Sequence, residues 1–225
     1  MDKCNNRAII VFARLPVEGK VKTRLAKEIG DKNSAILYRV CAEHLFEEVK
    51  KVKKYDTDLF LFYSDENETG KIKKWVGEDF YFYPQSGENL GTKMLNAFQQ
   101  IFEKEYGKVI IVGTDVPDID STLILNAFME LDNNDFVIGP SRDGGYYLLG
   151  MKSSANYLFS NIKWGTETVL TSSLEKLNKR KTPFKLLPEL IDIDIKKDII
   201  KWHQTVSDKT KHPVKTFIEK IIKNL

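Results

Sequence analysis

The chain has 225 residues, 42% of them hydrophobic and 30% charged, with a formal net charge of +3. That length suits one α/β domain with a sizeable core. The near-balanced charge argues against nucleic acid as a partner but allows a local basic pocket for an anion. No apolar run is long enough for a membrane span, and Ala8 to Ala13 is too short for a signal-peptide core, so a soluble cytoplasmic protein is expected. Cys4 and Cys41 lack the spacing of a zinc site, and Cys41 falls on an apolar helical face as a reduced, buried thiol.

In chain order, Ala8 to Ala13 reads as a buried strand. Ser34 to Val52 reads as a helix, with Ile36, Leu37, Val40, Cys41, Leu45 and Val49 at helical spacing. A strand over Asp58 to Tyr63, a short helix over Glu68 to Val76 and a strand from Phe80 to Tyr83 follow. Leu90 to Tyr106 is predicted helical up to Gly107, and Val109 to Val112 is the most clearly buried strand. Ser121 to Leu131 is predicted as a helix with Ser121 as its N-cap. Strands over Phe136 to Ile138 and Gly145 to Met151 precede a helix over Thr166 to Lys179. A last strand over Phe184 to Leu187 and a helix over Lys196 to His203 complete the alternation.

This order predicts a mainly parallel sheet covered on both faces. Residues 1–206 are expected to form one domain. Within 207–225, after the polar stretch Ser207 to Pro213, a helical stripe of Val214, Phe217, Ile218, Ile221, Ile222 and Leu225 would dock on the domain or form a homodimer contact. Membrane-surface binding through Lys215, Lys220 and Lys223 is the weakest reading of that helix.

Ligands of open parallel sheets bind beyond the carboxyl ends of the strands. The loop after the first strand carries Arg14, Lys20, Lys22 and Arg24, with a helix expected near Thr23. It reads as a phosphate-binding loop or as a solvated basic loop, and it is neither GxxxxGK[ST] nor GxGxxG. The loop Gly113-Thr114-Asp115-Val116-Pro117-Asp118 puts an acid at the end of a central strand, where a hard oxygen ligand suits Mg²⁺ or Mn²⁺; Asp118 and Asp120 read as turn or capping residues. Asp143-Gly144-Gly145 is either a close approach of substrate to backbone or a hairpin turn. Asp192 and Asp194 alternate along a short strand, so they could complete a metal site begun by Asp115 or lie exposed. His44, His203 and His212 read as structural or surface residues, and no nucleophile elbow is visible.

Phe12-Ala13-Arg14-Leu15-Pro16, Gly19 to Leu25, Asn89-Leu90-Gly91 with Met94, Gly113 to Asp118, Gly139-Pro140 with Asp143 to Leu148, Trp164-Gly165-Thr166 and Asp192-Ile193-Asp194 occur in that order. Together they resemble the bacterial GT-A-type glycosyltransferases of the radical-SAM/selenodomain-associated group, some of which carry an arsenosugar-biosynthesis label. The likeness runs from about Ile9 to His203. It implies a nucleotide-diphospho-sugar transferase fold with a mixed sheet, and kinship with phospholactate-type guanylyltransferases. By this resemblance Lys22 and Arg24 would meet phosphates, which Arg14 and Lys20 of the same loop are expected to join from their charge and position, and Asp115 and Asp194 would hold the metal. The family segment with Asn89, Gly91 and Met94 would contact the nucleoside or sugar, and Thr114, Gly144 and Gly145 of the other loops are expected to line the substrate. The chain departs from the family at Asp-Ile-Asp-Ile-Lys-Lys-Asp, where members have Asp-Val-Asp-Thr-Pro-Glu-Asp.

Two activities follow as expectations. One is sugar transfer from a nucleotide sugar to a small-molecule hydroxyl acceptor, with Asp115 and its metal assisting the leaving diphosphate and Asp143 as the base. The other is nucleotidyl transfer from a nucleoside triphosphate to a small phospho-acid, with pyrophosphate leaving. The first loop holds only Gly19, and a glycine-poor loop favours sugar transfer. A non-catalytic nucleotide-binding module is the third reading.

Overall fold

Strands with apolar side chains on both faces need cover on both sides. The structure, a computed structural model describing residues 6–64, 66–206 and 211–222, provides it as helix, sheet and helix layers. The seven strands are β1 (Arg7–Ala13), β2 (Thr57–Tyr63), β3 (Tyr81–Pro84), β4 (Lys108–Gly113), β5 (Phe136–Pro140), β6 (Tyr146–Met151) and β7 (Phe184–Leu186). They lie in the order β3-β2-β1-β4-β6-β5-β7. β6 is antiparallel to β4 and β5, while the remaining pairings are parallel. The sheet is thus mixed, with one reversed strand.

The helices are α1 (Thr23–Ile29), α2 (Asp31–Val52), α3 (Thr69–Val76), α4 (Leu90–Phe102), α5 (Ser121–Asn133), α6 (Asn156–Phe159), α7 (Val169–Lys179), α8 (Lys196–Thr205) and α9 (Pro213–Ile222). Period-two alternation divides the core. Ile9 and Val11 of β1 face α2, α3 and α5, whereas Ala8 and Ile10 face α4, α6 and α7. A third cluster joins Leu25 and Ile29 of α1, Leu37 and Cys41 of α2, Trp202 of α8 and Val214 and Ile218 of α9. It also takes in Ile191 and Ile193, which anchors the segment ahead of α8.

Several boundaries differ from expectation for local reasons. α2 starts at Asp31 because Gly30, at φ 82°, turns the chain there. α4 ends at Phe102, and Glu105 at φ 66° belongs to the turn that follows. The N-cap of α5 is Asp120, whose Oδ1 accepts the Leu123 N–H at 2.7 Å; Ser121 is already helical. α7 begins at Val169, since the Thr166 hydroxyl donates back to the Lys163 carbonyl in the preceding turn. Residues 192–194 form coil, not a strand. Cys4, Lys223, Leu225 and the 207–210 part of the polar stretch lie outside the described residues, as does the side chain of Ile222. Among the described residues no helix is long and apolar enough to cross a membrane.

α8 and α9 bear on the loop after β4. Trp202 Nε1 donates to Asp118 Oδ2 at 2.8 Å, and the Trp202 ring meets His212 edge-on. The His212 ring lies 4.3 Å from that of His44 on α2. His212 Nδ1 accepts the Val214 N–H, and its Nε2 is 3.2 Å from the Pro117 carbonyl, to which a neutral ring protonated at Nε2 donates. Burial depresses both histidines below their usual pKa near 6.5, the second ring adding to the effect on His44. Between the depressed folded-state values and 6.5 the unfolded chain binds more protons, so stability falls as pH drops through this window. Urea midpoints should therefore decline from pH 7 to pH 5.5, and more shallowly in His212→Gln. An equal decline in both proteins would refute the assignment.

Candidate functional site

The chain leaves β1 toward β2 on one side, and β4 inserts on the other. This switch point puts the ends of β1 and β4 side by side, where a crevice is expected. A cleft of about 810 Å³ opens there. Because β6 is reversed, the turn between β5 and β6 reaches the same end of the sheet and forms part of the rim through Ser141, Asp143 and Gly145.

The carboxylates converge through the backbone. Ile193 N donates to the Asp115 carbonyl at 3.2 Å, Leu190 N donates to the Pro140 carbonyl, and Arg142 N donates to the Leu190 carbonyl. These bonds lay residues 190–193 from the end of β5 across to the end of β4. Ile191 and Ile193 point into the third core cluster, so Asp192 and Asp194 turn the other way, toward Asp115. One oxygen from each of Asp115, Asp192 and Asp194 lies within 4.8 Å of the others. Asp198 Oδ2 accepts the N–H groups of Asp194 and Ile195 at 3.1 and 3.0 Å. The loop behind Asp194 is thus fixed without the Thr and Pro expected there.

Lys22 enters this group from the first loop. Its side chain is only 2% exposed, and its Nζ is 2.5 Å from Asp115 Oδ1, 3.3 Å from Asp194 Oδ1 and 3.6 Å from Asp192 Oδ1. Burial alone would lower the ammonium pKa, but the attraction of Asp115, Asp192 and Asp194 overcomes it and the net shift is upward. Asp192 moves upward too, chiefly through burial and against the opposing pull of Lys22, with Asp115 and Asp194 adding repulsion. A lysine held between three hard oxygen donors shows that the position favours a cation. The donor set fits Mg²⁺ or Mn²⁺, which take oxygen ligands of this type.

The other expected residues are placed unevenly. Arg14 lines the cleft, and its backbone N–H donates to the Tyr38 hydroxyl at 3.0 Å. Arg24 is 70% exposed, with Nη1 3.6 Å from Asp194 Oδ2. Thr114 is buried and donates to the same Tyr38 hydroxyl, whose pKa is pushed up to about 12 by burial and the Asp115 charge. Tyr38 therefore stays neutral and ties the two loops together; as one more helix residue it gave no signal in sequence. Met94 sits on the cleft wall with Phe12, Leu90, Tyr146 and Trp164.

Lys20, Asn89, Gly91 and Gly144 do not line the cleft. Lys20 is exposed, and its carbonyl accepts from Arg14 Nη1 at 3.5 Å. Asn89 caps α4 in a reciprocal capping box with Thr92. The two glycines admit the protein's own chain. A Cβ on Gly91 would meet the Trp164 ring at 2.1 Å, and one on Gly144 would meet the Glu167 carbonyl at 2.1 Å. Gly145 does face the cleft, and Asp143 Oδ1 accepts both the Gly145 N–H at 3.0 Å and the Ser141 hydroxyl at 2.5 Å. The Asp-Gly-Gly run is thus a hairpin turn whose aspartate borders the cleft.

The three layers of helix, sheet and helix, with the cleft at the strand ends, define a protein of the nucleotide-diphospho-sugar transferase fold. Among solved structures, the chain is 29% identical to one from Desulfovibrio desulfuricans provisionally described as a nucleotide-diphospho-sugar transferase, with a TM-score of 0.91 over 100% of this chain and 98% of that one. A cytidylyltransferase from Leptospira borgpetersenii shares the fold at 18% identity and TM-score 0.53, covering 97% and 95% of the two chains. The inositol-1-phosphate CTP transferase from T. maritima does so at 16% and 0.52, covering 98% of each. The chain belongs to the DUF2064 family, described as uncharacterized protein conserved in bacteria, whose model matches residues 48–166. No curated protein matches the sequence.

Gly144 gives a test of how the far wall is held. Gly144→Ala combines a φ of +87° with a backbone clash and should lower unfolding stability by about 2 kcal/mol or more in urea melts. A variant as stable as wild type would show that the 164–167 segment is not held against Gly144.

Proposed function

We propose that the chain is a metal-dependent GT-A-type glycosyltransferase that moves a sugar from a nucleoside diphosphate sugar to a small hydroxyl acceptor. The observation that carries this reading is the convergence of Asp115, Asp192 and Asp194 at the switch point, beside the cationic side chains of Lys22, Arg14 and Arg24. The likeness to the Desulfovibrio protein supports a nucleotide sugar as donor. A divalent ion held by the three carboxylates would supply charge neutralisation for the leaving diphosphate.

The chain's own groups account for the rest. Arg14 and Arg24, at the open side of the cleft, attract the diphosphate and hold it against the strand ends. The wall of Phe12, Leu90, Met94, Tyr146 and Trp164 takes flat or apolar parts of the substrate and excludes water. Asp143, anchored through one oxygen by its turn, lines the cleft beside the carboxylates and accepts the proton of the acceptor hydroxyl. The single glycine of the first loop before Lys20 gives less backbone cradle for a triphosphate, which favours sugar transfer over nucleotidyl transfer.

The assay offers Mg²⁺ or Mn²⁺ with labelled nucleotide sugars in one arm, and nucleoside triphosphates with small phospho-acids in the other. Release of free nucleoside diphosphate from the first arm is expected; pyrophosphate released only in the second would sink the sugar-transfer reading. Asp115→Ala should reduce metal-dependent turnover by about 100-fold or more and abolish the metal dependence of nucleotide binding. Nucleotide affinity unchanged by this substitution, with and without metal, would remove Asp115 from the site.

A further inference from the structure

The Lys22 ammonium stands among the same three carboxylates that would bind a divalent ion. Mg²⁺ sits about 2.0–2.1 Å from its oxygen ligands. An ion at that distance from Asp115, Asp192 and Asp194 would lie against an ammonium only 2.5 Å from Asp115 Oδ1, and two cations so close repel strongly in a pocket partly stripped of water. Both cannot occupy the centre. Resting on the metal reading given above, we propose that Lys22 is an exchangeable counter-ion. It holds the three carboxylates together in the free protein, leaves them when the divalent ion enters, and moves to the phosphates that arrive with it.

Three features support an exchange over a fixed ion pair. Asp192 Oδ1 is buried and accepts no hydrogen bond from the described residues, so its bond to an ammonium 3.6 Å away is incomplete and a metal would improve it. The Lys22 backbone lies at φ 47°, ψ 43°, a left-handed conformation uncommon for a residue with a Cβ, and the Lys22 carbonyl accepts the Ala26 N–H that starts α1. The root of the side chain is thereby fixed while the four-carbon stem can swing. Lys22 also lines the open cleft with Arg14 and Arg24, so its new position lies among groups that attract the same anion.

Metal alone must displace an ammonium that has nowhere better to go. Metal carried with a diphosphate supplies the displaced ammonium with a partner. The two ligands therefore raise each other's affinity through one side chain.

The test uses the full chain, wild type and Lys22→Met, titrated with Mn²⁺ by electron paramagnetic resonance in the absence and presence of pyrophosphate. Lys22→Met should bind Mn²⁺ alone about tenfold tighter than wild type or better, and pyrophosphate should enhance its Mn²⁺ binding much less. In the wild type, acetylation of Lys22 read by mass spectrometry should be slow without metal and accelerate with Mn²⁺. This second readout decides the matter if the variant does not fold. A wild type that binds Mn²⁺ while Lys22→Met gains no affinity, or Lys22 acetylation unchanged at saturating Mn²⁺, overturns the exchange and leaves the metal reading standing. Mn²⁺ binding by neither protein overturns the metal reading itself.

Discussion

Three carboxylates brought within 4.8 Å of one another repel, and the surrounding fold is arranged to hold them there. The compensation comes chiefly from the Lys22 ammonium, 172 residues from Asp194, with the exposed Arg24 guanidinium at the edge of the group. Lys22 is buried while the carboxylates are only partly so, and removing the ammonium leaves their mutual repulsion to be relieved by solvent alone. The restraint is therefore shared with uncharged contacts. The Ile193 bond to the Asp115 carbonyl sets the register, Ile191 and Ile193 fasten the strip to the third core cluster, and Asp198 closes the turn. α8 and α9 serve the same end, since Trp202 and His212 grip the Asp118 and Pro117 side of the loop after β4.

Much of the fold was legible because its signals are local. β1 and β4 are continuous apolar runs in a chain of modest hydropathy, and the alternation of strands with amphipathic segments points to a covered sheet. Helix ends were less legible, since capping is decided by single side chains. Asp120 and Ser121 are both good N-caps, and only the position of the Leu123 amide selects Asp120. The reversal of β6 is not written in its residues either, because Tyr146 to Met151 would serve in either direction; pairing with β4 and β5 decides it.

The candidate site was legible in its ingredients more than in its assembly. An acid after a central strand and alternating acids near the end of the chain could be picked out one by one. The alternation of Asp192 and Asp194 left open whether they meet Asp115 or lie exposed, and that Lys22 stands in their midst depends on a crossing of the chain that no spacing reveals. Glycines mislead in the other direction. Gly91 and Gly144 suit close approach, but the approaching group is the segment around Trp164 and Glu167. Tyr38 gave no warning, since its hydroxyl gains meaning only once the loops after β1 and β4 lie above it.

The two walls of the cleft are built from different material. One is made of strand ends and the ion cluster, where a shift of one residue would carry a charged group out of register. The other, carrying Trp164 and its neighbours, is a connecting segment between α6 and α7, seated on two glycines and on the side chains of α4 and β6. Such a segment can change length or composition without disturbing a strand. Among members of the family, divergence in what the cleft accepts should accumulate there, while the charged wall stays the same. One chemistry could in this way be passed to new substrates by rewriting a single loop.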